Sequence, residues 1–269
     1  MTNATHTSAP LSAAALRRPV HWKAVLCFYI LACALSWPFY WWRDMHGGSW
    51  SSWSVLSLPP SHPLVFIVKN AVVMWGPGIA ALICLYLFRS RHHRTITFGG
   101  SSLTRSLLFY WVPIAAAAAL GMPLPDGTVN RPAVLGLGLA TMFTVLGEEL
   151  GWRGFLQDAL RPLDLWKRYV LIGAMWEFWH FTNRTSHGSG THRLTLLAIF
   201  YPLGMLLSAL IGEATDRGRS LLIAITLHAW FDITFTFPAR QTYIVLALSS
   251  VFWAGMLISW PRPGMQQER

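Results

Sequence analysis

Charged residues are scarce in this sequence, and acidic residues are the scarcest. Only 12% of the 269 residues are charged and 11 are Asp or Glu, whereas soluble domains carry about 25% charged residues. This deficit argues against an ordinary soluble domain. Hydrophobic residues make up 54% of the chain, and apolar runs near the roughly 20 residues needed to cross a bilayer recur along it. The composition therefore indicates a polytopic membrane protein.

Cysteine is also rare. Cys27, Cys33 and Cys84 lie in apolar runs without the spacing of a metal site, and we interpret them as small buried apolar side chains. The N-terminal segment is polar, and the apolar run that follows it is too long for a signal peptide and has no cleavage-like site. We predict a disordered cytoplasmic tail over residues 1–20, a single transmembrane domain over 21–260 and a short cytoplasmic tail over 261–269.

Eight apolar segments predict an all-α polytopic membrane helix bundle. They cover about residues 24–42, 64–88, 106–120, 133–146, 169–182, 194–211, 221–237 and 242–260. The fourth segment is predicted either to end near Leu146 or to continue as one helix to Leu160.

The net charge of +10 raises the question of a nucleic-acid partner. With the N-terminus inside, fifteen of the 21 Lys and Arg residues fall in inside regions, five fall in outside loops, and Lys69 lies within the second span. Cytoplasmic loops of membrane proteins are enriched in Lys and Arg. The asymmetry predicts that both termini are cytoplasmic, and it explains the charge without nucleic acid.

The fourth span ends in an unusual stretch, "LGEELGWRGFLQ". Ionisable groups in hydrocarbon are costly and usually face a polar cavity, so they are functional candidates. Glu149 and Arg153 are four residues apart and share a helix face, which favours an ion pair. Glu148 points about 100° away and is left as a candidate general base or acid. The alternative is that these residues form a solvated cytoplasmic end of the helix.

The fifth and seventh spans also carry ionisable groups. His180 shares a helix face with Trp176, either as a catalytic group or as a buried hydrogen-bonded histidine. His228 and Asp232 are four residues apart, so the carboxylate can orient the imidazole, or the pair can join helices. Glu177 is interpreted as structural. Residues 212–220, "GEATDRGRS", are predicted to form a solvated turn between the sixth and seventh spans.

These groups are predicted to meet. Helices rise about 1.5 Å per residue, which places Glu148, His180 and His228 in the cytoplasmic half of the bilayer or near its middle. One shared polar cavity within the membrane explains their presence more simply than three separate costly insertions.

Three short motifs resemble those of one family. "EELGWR" looks like the EExxxR signature of the CPBP (CAAX protease and bacteriocin-processing, or Abi) intramembrane proteases, which are related to the Ras-converting CAAX prenyl endopeptidase. The family's FxxxH motif corresponds to Trp176 and His180, with Trp in place of Phe. Its HxxxN or HxxxD motif corresponds to His228 and Asp232. "WGPGIAALI" resembles the family's Gly-Pro segment.

The resemblance implies an eight-helix intramembrane endopeptidase. It assigns Glu148 and His180 to water activation and His228 and Asp232 to the oxyanion, with Glu149, Arg153 and Trp176 in supporting positions. An ionised Asp232 cannot donate a hydrogen bond, so it is either protonated or orients His228, which then donates.

Cofactor, substrate and alternatives follow from the same resemblance. Metal-free catalysis is favoured because there is no HExxH helix and because the motifs resemble those of glutamate-dependent relatives. Zinc held by Glu148, His180 and His228 is the alternative. The substrate is expected to be a membrane-associated peptide or protein, such as a CAAX-like, leader or C-terminal tail, at a bacterial plasma membrane.

Two other functions remain open. One is a non-catalytic family member that acts as a bacteriocin-immunity, scaffold or accessory factor. The other is a proton-coupled transporter, which would need ionisable groups that reach both faces of the membrane.

Overall fold

The chain folds as a bundle of helices. A computed structural model describes residues 19–45, 73–89, 94–123, 129–181, 190–236 and 239–260. The helices of these residues are α1 Trp22–Met45, α2 Gly76–Leu87, α3 Leu103–Leu120, α4 Arg131–Gly151, α5 Leu165–Trp179, α6 Gly190–Gly218, α7 Leu221–Thr236 and α8 Arg240–Ile258. An isolated bridge joins Thr97 to Ser220. The predicted all-α polytopic bundle is confirmed, whereas the predicted tails fall almost entirely outside the described residues.

Several of these helices suit a bilayer. Five are long and apolar enough to cross one, namely α1, α3, α4 with its continuation, α6 and α8, and α2 and α7 are shorter apolar helices. Large apolar side chains point outward, as on α8, where Val251 is 76% exposed and Ile258 is 79% exposed. Lipid is the solvent that accommodates such a surface. The protein is an integral membrane protein.

The end of α4 follows the longer of the two predictions. After Gly151 the chain continues through a π-helical turn, Trp152–Leu156, and a last α-helical turn, Gln157–Ala159. The helix starts at a polar cap, where the Asn130 side chain accepts a hydrogen bond from the Ala133 N–H at 3.1 Å, as N-caps do. The fourth span is therefore one long helical rod. The second predicted span, 64–88, lies partly outside the described residues.

The predicted turn over residues 212–220 is wrong for residues 212–218, although the side chains of Glu213 and Arg217 there are 44% and 40% exposed. Residues 212–218 complete α6, and the chain turns at Arg219, whose φ is 52°. Asp216 accepts hydrogen bonds from Arg161 at 3.1 Å and from Tyr169 at 2.7 Å, and it pairs with Arg168. These partners offset the charge of Asp216 and fasten the last turns of α6 against α5.

Helix α4 connects two separate hydrophobic clusters. Its first part packs into a cluster with α3, α7 and α8, to which it contributes Val134 and Val145. Its π-helical turn packs into a second cluster with α1, α2 and α5, to which it contributes Trp152 and Phe155. The two glutamates lie between these contributions, where α4 passes from one cluster to the other.

Close packing of backbones places the glutamates. A Cβ built on Gly147 would lie 2.7 Å from the Met74 carbonyl oxygen and 2.7 Å from Cα of Trp75, and a Cβ built on Gly78 would lie 2.7 Å from the Gly147 carbonyl oxygen. Only glycine permits so close an approach between helices. The "WGPG" segment thus packs directly against the residue that precedes Glu148.

We predict that Gly147→Ala destabilises the protein by about 1–3 kcal/mol, because the added methyl group forces α2 away from α4. Thermal unfolding of the purified protein in detergent measures the change. Gly136→Ala is the matched control, because it lies on the same helix and a Cβ there meets nothing within 4 Å. That control should be neutral or stabilising. Equal melting temperatures for the two variants would contradict the packing argument.

Candidate active site

The ionisable residues at the end of α4 and in the π-helical turn after it are buried, not solvated. Glu148, Glu149 and Arg153 are each 0% exposed, and His228 is 3% exposed. The alternative of a solvated helix end is therefore wrong. Burying charges in a membrane protein requires partners, and each of these side chains has at least one.

Glu149 connects three of the helices. Its Oε1 atom accepts a hydrogen bond from Arg153 Nη1 at 3.0 Å, which is the pair that the helical spacing predicts. The same oxygen lies 2.6 Å from His228 Nδ1 on α7. Arg153 in turn donates from Nη2 to Ser208 on α6 at 3.1 Å. A contiguous polar chain thus joins α4, α6 and α7 in the interior.

The π-helical turn presents Arg153 to this interior. Arg153 is its second residue, and all five residues of the turn are buried. Trp152 packs against the rings of Phe28 and Trp179, with centroids 5.4 Å and 5.9 Å away. Single π-helical turns are rare and are frequent at functional sites. The sequence pattern carries no sign of this turn.

Glu148 points away from Glu149, as the helical geometry predicts. Its Oε2 atom accepts a hydrogen bond from Trp176 Nε1 on α5 at 3.0 Å. Its Oε1 atom is buried and has no hydrogen-bond partner among the described residues. Glu148 is thus a buried carboxylate with one oxygen held and the other available to a small polar molecule.

His180 occupies the position directly after α5. Its Nδ1 atom lies 3.0 Å from the Trp176 carbonyl oxygen, which also accepts from the His180 backbone N–H at 3.2 Å. A carbonyl oxygen only accepts, so Nδ1 carries a proton, and in the neutral form of the ring the lone pair is on Nε2. This arrangement fixes the ring orientation and the tautomer together.

The indole of Trp176 lies at the centre of the site. Its centroid is 5.0 Å from that of His180 and 5.3 Å from that of His228, edge to face in both cases. The guanidinium of Arg153 sits 5.2 Å from the same ring. Glu148, His180 and His228, from three helices, therefore all border one side chain.

Asp232 is the most exposed member of the set. Its side chain is 34% exposed, and its Oδ2 atom is 3.7 Å from His228 Nε2, which is too long for a hydrogen bond. The carboxylate that binds the imidazole ring is Glu149. Both ring nitrogens of His228 thus face a carboxylate, one in contact and one at a distance.

Comparison with known proteins identifies the segment that holds this site. Residues 130–234 match the family described as Type II CAAX prenyl endopeptidase Rce1-like. Over these residues the chain is similar to that family, and we call them the Rce1-like segment. It contains all three motifs, and the resemblance to the CAAX protease family is confirmed.

One curated relative supports the same identification. The chain is 32% identical over 104 residues to CAAX prenyl protease 2 of Methanococcus maripaludis, a match that covers 36% of this chain and 37% of the relative. The matched region is thus well under half of the relative's length. No solved structure matches the chain.

The donor geometry of the Rce1-like segment bears on the zinc alternative. In the described part of the chain, no three His, Cys, Asp or Glu side chains are grouped to hold a metal ion. Glu148 Oε2 is bound by Trp176, and His228 Nδ1 is bound by Glu149. As arranged, Glu148, His180 and His228 do not form a three-ligand set. The three cysteines are free thiols at other positions.

Sequence reasoning misses two contacts of the Rce1-like site. Ser208, which receives a hydrogen bond from Arg153, carries no motif and lies on another helix. The replacement of Phe by Trp at position 176 looks like a mild aromatic exchange, but its N–H reaches Glu148. A donor in place of a hydrocarbon edge is the one signal in the sequence that points to this contact.

We predict that Arg153→Met destabilises the protein by about 3–5 kcal/mol, because it leaves the buried charge of Glu149 without its guanidinium partner. Denaturant unfolding in detergent measures the loss. Arg217→Met is the matched control, because Arg217 pairs with Glu213 at 3.2 Å but the two side chains are 40% and 44% exposed. Exposed pairs contribute at most about 1 kcal/mol. An equal loss in the free energy of unfolding for Arg153→Met and Arg217→Met would show that the buried pair stabilises the protein no more than the exposed pair.

Proposed function

We propose that the protein is an intramembrane endopeptidase that hydrolyses a peptide bond of a membrane-associated polypeptide. One observation carries the proposal: one residue from each of the three motifs borders the indole of Trp176. These residues are Glu148 at the end of α4, His180 directly after α5 and His228 on α7. The identification of residues 130–234 as Rce1-like supports the same reaction class. The general chemistry needs an activated water, an oxyanion donor and a proton for the amine.

Glu148 and His180 are the proposed activators of water. The unpartnered Oε1 atom of Glu148 accepts a hydrogen bond from one O–H of the water, and Nε2 of His180 accepts a hydrogen bond from the other O–H. The water oxygen then bonds to the carbonyl carbon of the substrate while its proton passes to Glu148. The C–N bond breaks, and the same proton is given to the leaving amine. Glu148 returns to its starting state.

His228 is the proposed oxyanion donor. Glu149 engages Nδ1 at 2.6 Å, which orients the ring so that Nε2 faces Asp232. An imidazolium at this position has a negative partner at each nitrogen and donates from Nε2 to the oxyanion. Asp232, which lies 3.7 Å away, then acts by electrostatics and does not need to be a donor itself.

The proposed substrate is a polypeptide tail held at the membrane. The relative's name, CAAX prenyl protease 2, favours a CAAX-like C-terminus, and leader or other C-terminal tails are the alternatives to be compared. The expected setting is a bacterial plasma membrane with both termini cytoplasmic. Comparing new protein termini in membranes with and without the protein identifies the substrate directly.

We predict that Glu148→Gln and His180→Ala each lower kcat for peptide cleavage by about 10²–10⁴-fold, the usual contribution of a general acid–base group. Purified protein in liposomes, given prenylated CAAX, unprenylated CAAX and leader peptides, provides the assay. Glu213→Gln is the matched control and should cleave normally, because its side chain is 44% exposed.

Two results would refute this assignment. Equal cleavage by wild type and both site variants would place the chemistry elsewhere. A folded wild type that cleaves no peptide, with a cellular phenotype that survives Glu148→Ala, would favour the non-catalytic immunity or scaffold role.

We also propose metal-free catalysis and predict that dialysis against a zinc chelator leaves kcat within about twofold, since both proposed activators work as proton acceptors without a Lewis acid. Cleavage rates before and after dialysis, and after adding zinc back, are the measurement. Loss with the chelator and recovery with zinc would establish the metal alternative.

A further inference from the structure

Among the described residues, Trp176 is the aromatic side chain that contacts Glu148, His180 and His228 together. It is 2% exposed and presents a different part of its indole to each neighbour. The N–H bonds to Glu148, the ring faces Arg153, and the ring stands edge to face with both histidines. A phenylalanine at this place could offer ring contacts but no hydrogen bond.

We propose that the indole N–H of Trp176 is a positioning group that sets the orientation of the Glu148 carboxylate. This inference rests on the proposed function and assigns a specific role to the Trp that replaces Phe in the second motif. By holding Oε2, the N–H directs Oε1 toward the position of the water. The N–H acts through Glu148, whereas the ring contacts of Trp176 with His180 and His228 are packing contacts.

The surroundings of Glu148 explain why this donor matters. The side chain is fully buried, Trp176 is its hydrogen-bond partner, and Oε1 has none among the described residues. A buried carboxylate that loses its donor rotates toward any other donor it can reach. Such a rotation would turn Oε1 away from the water.

The first test compares kcat and KM. Trp176→Phe should lower kcat by about 10- to 100-fold, the range expected for losing a hydrogen bond to a charged group, and should leave KM within about twofold. Replacing Trp176 by 3-benzothienylalanine, which keeps the indole shape but has sulfur in place of the N–H, should give the same loss without a cavity. Retention of wild-type kcat by the benzothienyl protein would overturn the proposal.

Trp253→Phe is the matched control for the smaller ring. Trp253 is 5% exposed and donates from Nε1 to the Phe109 carbonyl oxygen at 2.9 Å, in the hydrophobic cluster that contains α8. Its replacement should lower the melting temperature but leave kcat unchanged. An equal fall in kcat for Trp253→Phe would show that the effect of Trp176→Phe is general loosening.

The second test does not depend on activity. The indole ¹H–¹⁵N signal of Trp176, identified by its absence in Trp176→Phe, should move upfield in Glu148→Ala, because the carboxylate acceptor is removed. Glu213→Ala should leave it in place. An unmoved signal in Glu148→Ala would refute the contact even if the protein cleaves peptides. A moved signal in a protein that cleaves nothing would retain the contact and refute the proposed function.

Discussion

One oxygen of Glu149 joins two parts of the buried interior by hydrogen bonds. It accepts from Arg153 on the same helical rod and contacts His228 on α7. Buried charges are stable only when they are paired and hydrogen-bonded, and in lipid the cost of leaving them apart is higher still. The pairing therefore constrains how α4 and α7 pack, and through Ser208 it extends to α6.

The two adjacent glutamates have opposite surroundings. Glu149 is saturated on one oxygen by two nitrogen-bearing side chains, which suits a structural and orienting role. Each glutamate keeps one buried oxygen without a partner among the described residues, but the donor to Glu148 is the neutral indole of Trp176, whereas Glu149 is bound by Arg153 and His228. Identical side chains thus acquire different chemistry because the helix turns them about 100° apart. This difference is the basis for assigning the reaction to Glu148.

Close packing of the backbones fixes the positions from which Glu148 and Glu149 make these polar contacts. The glycine pair at positions 78 and 147 lets α2 approach α4 at backbone distance, and the π-helical turn carries α4 from one hydrophobic cluster into the other. Hydrocarbon contacts on both sides leave the glutamates little freedom to move. The hydrogen bonds of the site therefore have only a few rotamers of Glu148 and Glu149 to choose between.

The sequence alone determined what depends on local periodicity. Apolar run lengths determined the class of fold and the approximate spans, and a spacing of four residues determined that Glu149 meets Arg153 and that His228 and Asp232 share a face. Such relations follow from the geometry of one helix. The same reasoning failed at residues 212–218, where the charged residues predicted a turn but complete α6, and where Asp216 is bound by Arg161, Arg168 and Tyr169.

Only the tertiary structure decided which faces meet. The contact of Glu149 with His228 spans 79 residues and that of Trp176 with Glu148 spans 28 residues. Neither can be read from spacing, because both depend on the relative rotation of packed helices. That rotation is set by close glycine contacts, a π-helical turn and two hydrophobic clusters acting together. For this reason the motifs predicted which residues form the site, whereas only the packing of the helices showed that Glu149 is the carboxylate that orients the His228 imidazole.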